Sequence, residues 1–181
     1  MTEEMTYQKS DIMIEYKYNN QMLMLAKKNH LSFENHYNAI RLPKILIDVL
    51  QSGIQEMDEK GNIYYMLNKT SFLNQLGEET NKFEFFYDDL TGNEVSNNKV
   101  IFKIVKFDKI TLKRAISFCH KLSNILPHSH NFCIIMSVDE NYVTISFHME
   151  RKGETWLGDD LEVYKSDAIL VMNVKNESNS K

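Results

Sequence analysis

The stretch NFCIIMSVDENYVTISFH, Asn131 to His148, decides the fold. Its first half, NFCIIMSV, is almost continuously apolar, as in a strand covered on both faces. Asp139-Glu140-Asn141 has turn chemistry. The second half, Tyr142–His148, alternates cleanly, with Val143, Ile145 and Phe147 directed inward and Tyr142, Thr144, Ser146 and His148 outward. A doubly covered strand, a tight turn and a period-two strand fit a largely antiparallel sheet.

Before this pair stands the clearest helix. Leu112, Ala115, Ile116, Cys119, Leu122, Ile125 and Leu126 form one stripe at helical spacing. Asp108 or Thr111 is the candidate cap, Pro127 the stop, and Lys113, Arg114, His120, Lys121 and Asn124 face away. After the pair, Asp167–Val174 reads as a closing strand, and residues 175–181 as a disordered polar tail.

Further out, the first ten residues read as frayed and Asp11–Tyr18 alternates as a strand. Asn19-Asn20 suits a turn. Gln21–Lys28 then reads as a return strand closing a hairpin, with a short helix as the alternative because Met, Leu, Ala and Lys favour helix. From Pro43, the residues Ile45, Leu46, Val49, Leu50 and Ile54 recur at helical spacing. Asp58–Asn62 ends that unit and Ile63–Asn68 reads as a strand. Thr70 or Ser71 would cap a short helical turn ending at Gly77. Lys82–Asp89 reads as a strand with Phe83, Phe85 and Tyr87 on one face. Thr91–Asn98 is all turn chemistry and predicts a hairpin loop into a strand at Lys99–Phe107. The expectation is a single α+β domain over residues 1–174, with a largely antiparallel sheet of about five to seven strands and two main helices packed on it.

At 181 residues, 43% hydrophobic and 25% charged, the chain has globular composition. A net charge of −4 is too mild to name a partner and weakens the case for nucleic-acid binding, which needs many phosphate-neutralising cations. The N-terminus has no apolar export segment, and no apolar run approaches the roughly 18 residues of a membrane span. The expected setting is the cytoplasm. There Cys119 and Cys133, both in apolar runs, fit small buried side chains in a reducing compartment.

Few motifs carry chemistry. His128-x-His130 lies in loop composition without a second ligand pair, so solvated histidines fit it better than a metal site. Cys119 beside His120 lies on a helix, where neighbours diverge by about 100°. No glycine-rich phosphate loop and no serine elbow occur, and no cofactor is implied. A basic run (Lys99, Lys103, Lys106, Lys109, Lys113, Arg114, Lys121) follows an acidic one (Glu78, Glu79, Glu84, Asp88, Asp89, Glu94), which reads as two opposed solvated surfaces.

The distinctive segment is His148–Tyr164. His148, Arg151 and Glu154 offer an acid/base pair with an anion-stabilising cation, the set a hydrolase-like enzyme would use. As packing, Arg151 would pair with Glu154 or with Asp159, Asp160 and Glu162, while Trp156 and Leu157 seat the loop on the sheet. As a contact surface, Trp156 and Tyr164 would anchor a partner and the acids would steer a basic one.

This segment, FHMERKGETWLGDDLEVYKSDAILVMNV, resembles a pattern near the C-terminus of small bacterial proteins of the polymorphic-toxin immunity kind. The pattern is Phe-His, Arg-x-Gly-Glu, Trp-Leu, Asp-Leu-Glu, Tyr and a closing apolar strand. It falls on Phe147, His148, Arg151, Gly153, Glu154, Trp156, Leu157, Asp160, Leu161, Glu162 and Tyr164, under a fifth of the chain. The resemblance implies a non-enzymatic cytoplasmic protein that neutralises a cognate toxin by occlusion, with His148, Arg151, Glu154, Trp156, Asp159, Asp160, Glu162 and Tyr164 as its partner-binding set. It carries over no catalytic residue, metal or membrane contact, and the partner would be a protein such as a basic toxin domain. The alternatives are the hydrolase-like enzyme and a phage-encoded or structural accessory protein.

Overall fold

A computed structural model describes residues 12–68, 83–103 and 109–176. In it the Asn131–His148 stretch forms β5 (Phe132–Val138) and β6 (Tyr142–Met149), antiparallel, with Cys133 opposite His148 and Val138 opposite Val143. Asp139 closes the turn by accepting the backbone N–H groups of Asn141 and Tyr142. β1 (Ile12–Tyr18), β7 (Ala168–Asn176) and β4 (Val100–Lys103) complete a five-stranded antiparallel sheet in the order β1-β7-β5-β6-β4. A second sheet is the hairpin of β2 (Ile54–Glu59) and β3 (Asn62–Leu67). The protein is α+β with a largely antiparallel sheet.

Among the described residues four α-helices accompany the sheets: α1 (Asn20–Asn29), α2 (Lys44–Ser52), α3 (Leu90–Asn97) and α4 (Lys109–Ile125). The predicted α4 stripe packs on the inner face of the sheet. Leu112, Ala115, Ile116, Cys119 and Leu122 are buried in one cluster with Phe132, Ile134, Phe147, Leu170 and Met172. Burial also pushes the Cys119 thiol far up, so it is an inert core side chain. His120, expected to face solvent, is instead buried. Its Nε2 lies 2.7 Å from the Phe33 carbonyl oxygen and its ring stacks 4.0 Å from that of His36. The Phe33–His36 segment covers the side of α4 that a lone amphipathic helix would leave wet.

Several local readings change. Gln21–Lys28 lies in a helix, not a return strand. Asn19 is fully buried and accepts the Met22 N–H at 3.0 Å, which caps α1 and removes the turn a hairpin would need. Ile54 starts β2 rather than ending α2, and Lys60-Gly61, both at positive φ, turn that strand into β3. Lys175 and Asn176, read as tail, pair with Met13 and Ile12. Residues 1–11, the Thr70–Gly77 helical turn, residues 104–108 and the tail at 177–181 lie outside the described residues.

The largest change is Thr91–Asn98, which belongs to helix α3 and its C-cap rather than a hairpin loop. The segment before it makes no ladder either, so Phe83–Asp89 is not the strand expected over Lys82–Asp89, of which Lys82 lies outside the described residues. The asparagines of α3 supply what a neighbouring strand would. Asn93 Oδ1 accepts from Phe86 N and Tyr87 N, while Asn97 Oδ1 accepts from Glu84 N and its Nδ2 donates to Glu84 O. Side-chain amides carry the same donor and acceptor pair as a peptide, so they can stand in for one. Residue 92 must be glycine, because a Cβ there would meet Tyr87 Cγ at 2.9 Å.

The sheet's outer face is covered too. Ser146 and His148, expected outward, lie on the face opposite Val143, Ile145 and Phe147 and are buried there. A second apolar layer of Cys133, Ile135, Ile169 and Val171 lies under Val95 of α3 and under Trp156, Leu157, Leu161 and Tyr164.

Candidate functional site

The connection from β6 to β7, residues 150–167, crosses this outer layer as a strap. Its first anchor is Arg151. The guanidinium meets Glu94 of α3 in a bidentate pair, Nη1 to Oε2 at 2.7 Å and Nη2 to Oε1 at 2.9 Å. Nη2 also donates to the Ile63 carbonyl at 2.9 Å. The Glu94 side chain has 0% exposure and that of Arg151 11%. Glu94 accepts two backbone N–H groups as well, Tyr65 N at 2.7 Å and Met149 N at 2.8 Å. One carboxylate thus joins α3, β3, β6 and the strap. A charge is tolerated there because every oxygen is met by donors.

The partner of Arg151 is therefore neither Glu154 nor the Asp159/Asp160/Glu162 group, and Glu94 does not belong to a solvated acidic surface. Glu154 touches Arg151 only through a backbone bridge. Its carboxylate sits at the start of α3, accepting Thr91 N at 3.0 Å and Thr91 Oγ1 at 2.8 Å, where the free N–H groups and the helix dipole favour negative charge.

The far end of the strap is tied to α1. Glu162 Oε1 accepts Asn20 N at 2.8 Å, in the first turn of that helix. Asn19 Nδ2 donates to the carbonyls of Tyr164 at 3.2 Å and Asp167 at 2.8 Å, and its Oδ1 accepts Ile169 N. Within the strap, Tyr164 Oη accepts Gly158 N at 3.1 Å and Asp160 Oδ1 caps the single turn Leu161–Val163. Asp159 is exposed. Trp156 is half-buried, lying on the outer apolar layer with its ring edge-on to Tyr87 at 5.5 Å.

Tyr87 leads to a surface that the residue pattern did not single out. Phe85, Phe86 and Tyr87 are exposed, Phe86 by 63%, and Glu84, Asp88 and Asp89 beside them are exposed as well. Phe83, Phe85 and Tyr87 read as one face of a strand, with Phe86 on the other. Only Phe83 is buried, against Tyr64 at 4.3 Å between ring centroids.

Beneath the strap lies a cavity of about 260 Å³. Ile135, Val171, Leu157 and Leu161 line it, with His148, Arg151 and Glu154 also in its wall. The three residues of the enzyme reading are thus gathered, but the Arg151 and Glu154 head groups are already engaged. His148 Nδ1 lies 2.9 Å from the Met149 carbonyl oxygen. Burial, chiefly, lowers the pKa of His148, and it does the same for His120. Cys133, in the same wall, has its thiol pushed up to about 12 by burial. Among the described residues no group of three or more His, Cys, Asp or Glu stands ready for a metal ion.

A pH effect follows from the two histidines. Their folded pKa values lie below the unfolded value of 6.5, so the unfolded chain takes up protons first as pH falls. Their contribution is intact above pH 6.5 and is lost as pH drops toward the folded values. The urea midpoint should be lower at pH 5.5 than at pH 7.5, and His148→Gln should reduce the difference.

Fold and site define an α+β protein whose antiparallel sheet is closed on one face by a strap clasped at both ends. The chain belongs to the Uncharacterized protein PM0498 family, whose model matches residues 17–181 and so spans the clasp and the strap. No curated protein and no solved structure matches it. No helix among the described residues is long and apolar enough to cross a membrane.

Proposed function

We propose that this is a non-enzymatic binding protein of the bacterial cytoplasm, of immunity type, which neutralises a cognate toxin by covering its active surface. The observation that carries the reading is the exposed aromatic row Phe85, Phe86 and Tyr87, continued by Trp156 and bordered in sequence by Glu84, Asp88 and Asp89. Large rigid aromatics among carboxylates suit a basic, apolar protein surface, since aromatic anchors dominate interface energetics and charges set the encounter. The net charge of −4 has the matching sign. Of the eight residues the sequence suggested, Trp156, Asp159 and Asp160 belong to the contact face, whereas Arg151, Glu154, Glu162 and Tyr164 hold the strap and His148 lies beneath it.

The test is calorimetric titration against the protein encoded by the adjacent gene. Wild type should bind. Trp156→Ala and Phe86→Ala should each weaken binding by at least about tenfold, as interface anchors do. Asp159→Lys with Asp160→Lys should weaken it mainly at low salt. An unbound wild type removes the function, and unaltered affinity in all the variants removes the face.

The enzyme reading has one observation in its favour, the gathering of His148, Arg151 and Glu154 around one cavity. Against it stand the contacts that engage the guanidinium and the carboxylate. Hydrolysis of a generic ester or phosphodiester that His148→Gln abolished without loss of fold would favour it.

A further inference from the structure

We infer that residues 31–42 form an acid-released cover on helix α4, opened when a proton reaches the buried His120. These residues join α1 to α2 and enter no strand. They run along one side of α4. The Phe33 carbonyl oxygen meets His120 Nε2 at 2.7 Å, and the His36 ring stacks on that of His120 at 4.0 Å. Nearer the helix start, Lys113 Nζ sits 5.0 Å over the Tyr37 ring and Arg114 Nε donates to the Arg41 carbonyl at 3.2 Å. Phe33 and Leu42 are the buried apolar anchors. Tyr37 holds a φ of 46°, left-handed backbone that a bulky side chain adopts only under strain.

His120 is the latch. It is 1% exposed, and because a carbonyl can only accept, Nε2 carries its proton. Nδ1 is buried without a hydrogen-bond partner. Ser117, three residues back on the same side of α4, has its Oγ buried and unpartnered as well, so the two side chains do not bond each other. A second proton would therefore sit on Nδ1 out of water, with no acceptor and with the His36 ring against it. Burial first, and then His36, lower the pKa of His120, against the opposing pull of the Phe33 carbonyl. The other groups around it supply no counter-charge. Tyr16 of β1, with its ring 6.0 Å away, is neutral, its pKa pushed up to about 12 by burial and then by Glu34. Glu34 itself is exposed, and the Cys119 thiol is neutral. Lys121 lines the groove against α2, while Lys27 and His30 line a hollow beside Phe33 and Glu34. Opening wets Nδ1 and restores the ordinary value of 6.5. Closure is thus fully supported above pH 6.5 and loses support as the pH falls toward the lowered value.

The experiment is hydrogen exchange on the full-length protein at pH 7.5 and 5.0, each corrected for intrinsic exchange. The reporters are Ser32 and Ile40, whose N–H groups donate to Tyr37 Oη and to the Tyr37 carbonyl. Their open fraction should rise about fivefold to thirtyfold at pH 5.0, the range one histidine released to a value of 6.5 can supply. Both should stay less protected than the β5 amides at either pH, which marks an opening short of unfolding. His120→Gln keeps an N–H for the Phe33 carbonyl but takes up no proton, so the rise should disappear. In wild type the His120 ring, followed by NMR, should titrate below pH 6.5. The inference is overturned if the cover amides exchange only with β5, if their open fraction ignores pH, if His120→Gln keeps the rise, or if the His120 ring titrates at or above 6.5.

Discussion

Glu94→Ala is expected to cost about 3–5 kcal/mol of folding stability, measured by urea denaturation at pH 7.5. The carboxylate is fully buried and accepts from the Arg151 guanidinium, Tyr65 N and Met149 N. Removing it leaves a largely buried guanidinium without its counter-charge and two backbone N–H groups without acceptors. Arg151→Ala should cost less, since water can reach the space left by a side chain already 11% exposed. Replacing both partners by apolar residues, Glu94→Leu with Arg151→Met, should recover part of the loss. A buried pair is costly to halve but not always to replace. Equal costs for Glu94→Ala and an exposed control such as Asp88→Ala would mean that the pair contributes nothing.

Asn19→Ala should cost about 3 kcal/mol. The substitution removes the α1 cap, worth about 1 kcal/mol, and orphans the buried Ile169 N–H together with the carbonyls of Tyr164 and Asp167, at about 1–3 kcal/mol for an unsatisfied buried group. Asn19→Asp separates the two roles. Its carboxylate can still accept Met22 N and Ile169 N, but it cannot donate to the strap carbonyls. That variant should keep α1 intact by hydrogen exchange while residues 164–167 exchange faster. Protection lost in α1 and strap alike would mean that Asn19 acts as one undivided anchor.

The core of this fold was legible because its signals are local. β6 repeats at two residues, the α4 stripe at 3.6, and β5 is apolar throughout, as a strand covered on both faces is; the stripe and the inward β6 residues pack as their patterns name, while His120, Ser146 and His148 are buried by segments far off in sequence. The α3 region was illegible for the opposite reason. Leu-Thr-Gly-Asn-Glu-Val-Ser-Asn has turn composition, and it is helical because Asp89 and Glu154 cap it and Asn93, Glu94 and Asn98 serve backbone groups of other segments. Nothing within eight residues of Glu94 announces Arg151, 57 positions away. The same distance hid the site. The charges of the strap were visible as a cluster, but their employment depends on helix starts at Asn20 and Thr91 that lie far off in sequence. Gln21–Lys28 shows the intermediate case, where composition allowed helix or strand and a buried cap settled it.

Hydrogen exchange on Glu94→Gln tests most directly the claim that the strap is held to the fold by its charged residues. Glutamine keeps the size of the side chain but offers one acceptor oxygen and no charge. If the strap is clasped from α3, amides at 151–158 and in β3 near Tyr65 should lose protection while the β5 amides keep theirs. Unchanged exchange in the strap, or an equal loss across strap and central sheet, would contradict the account.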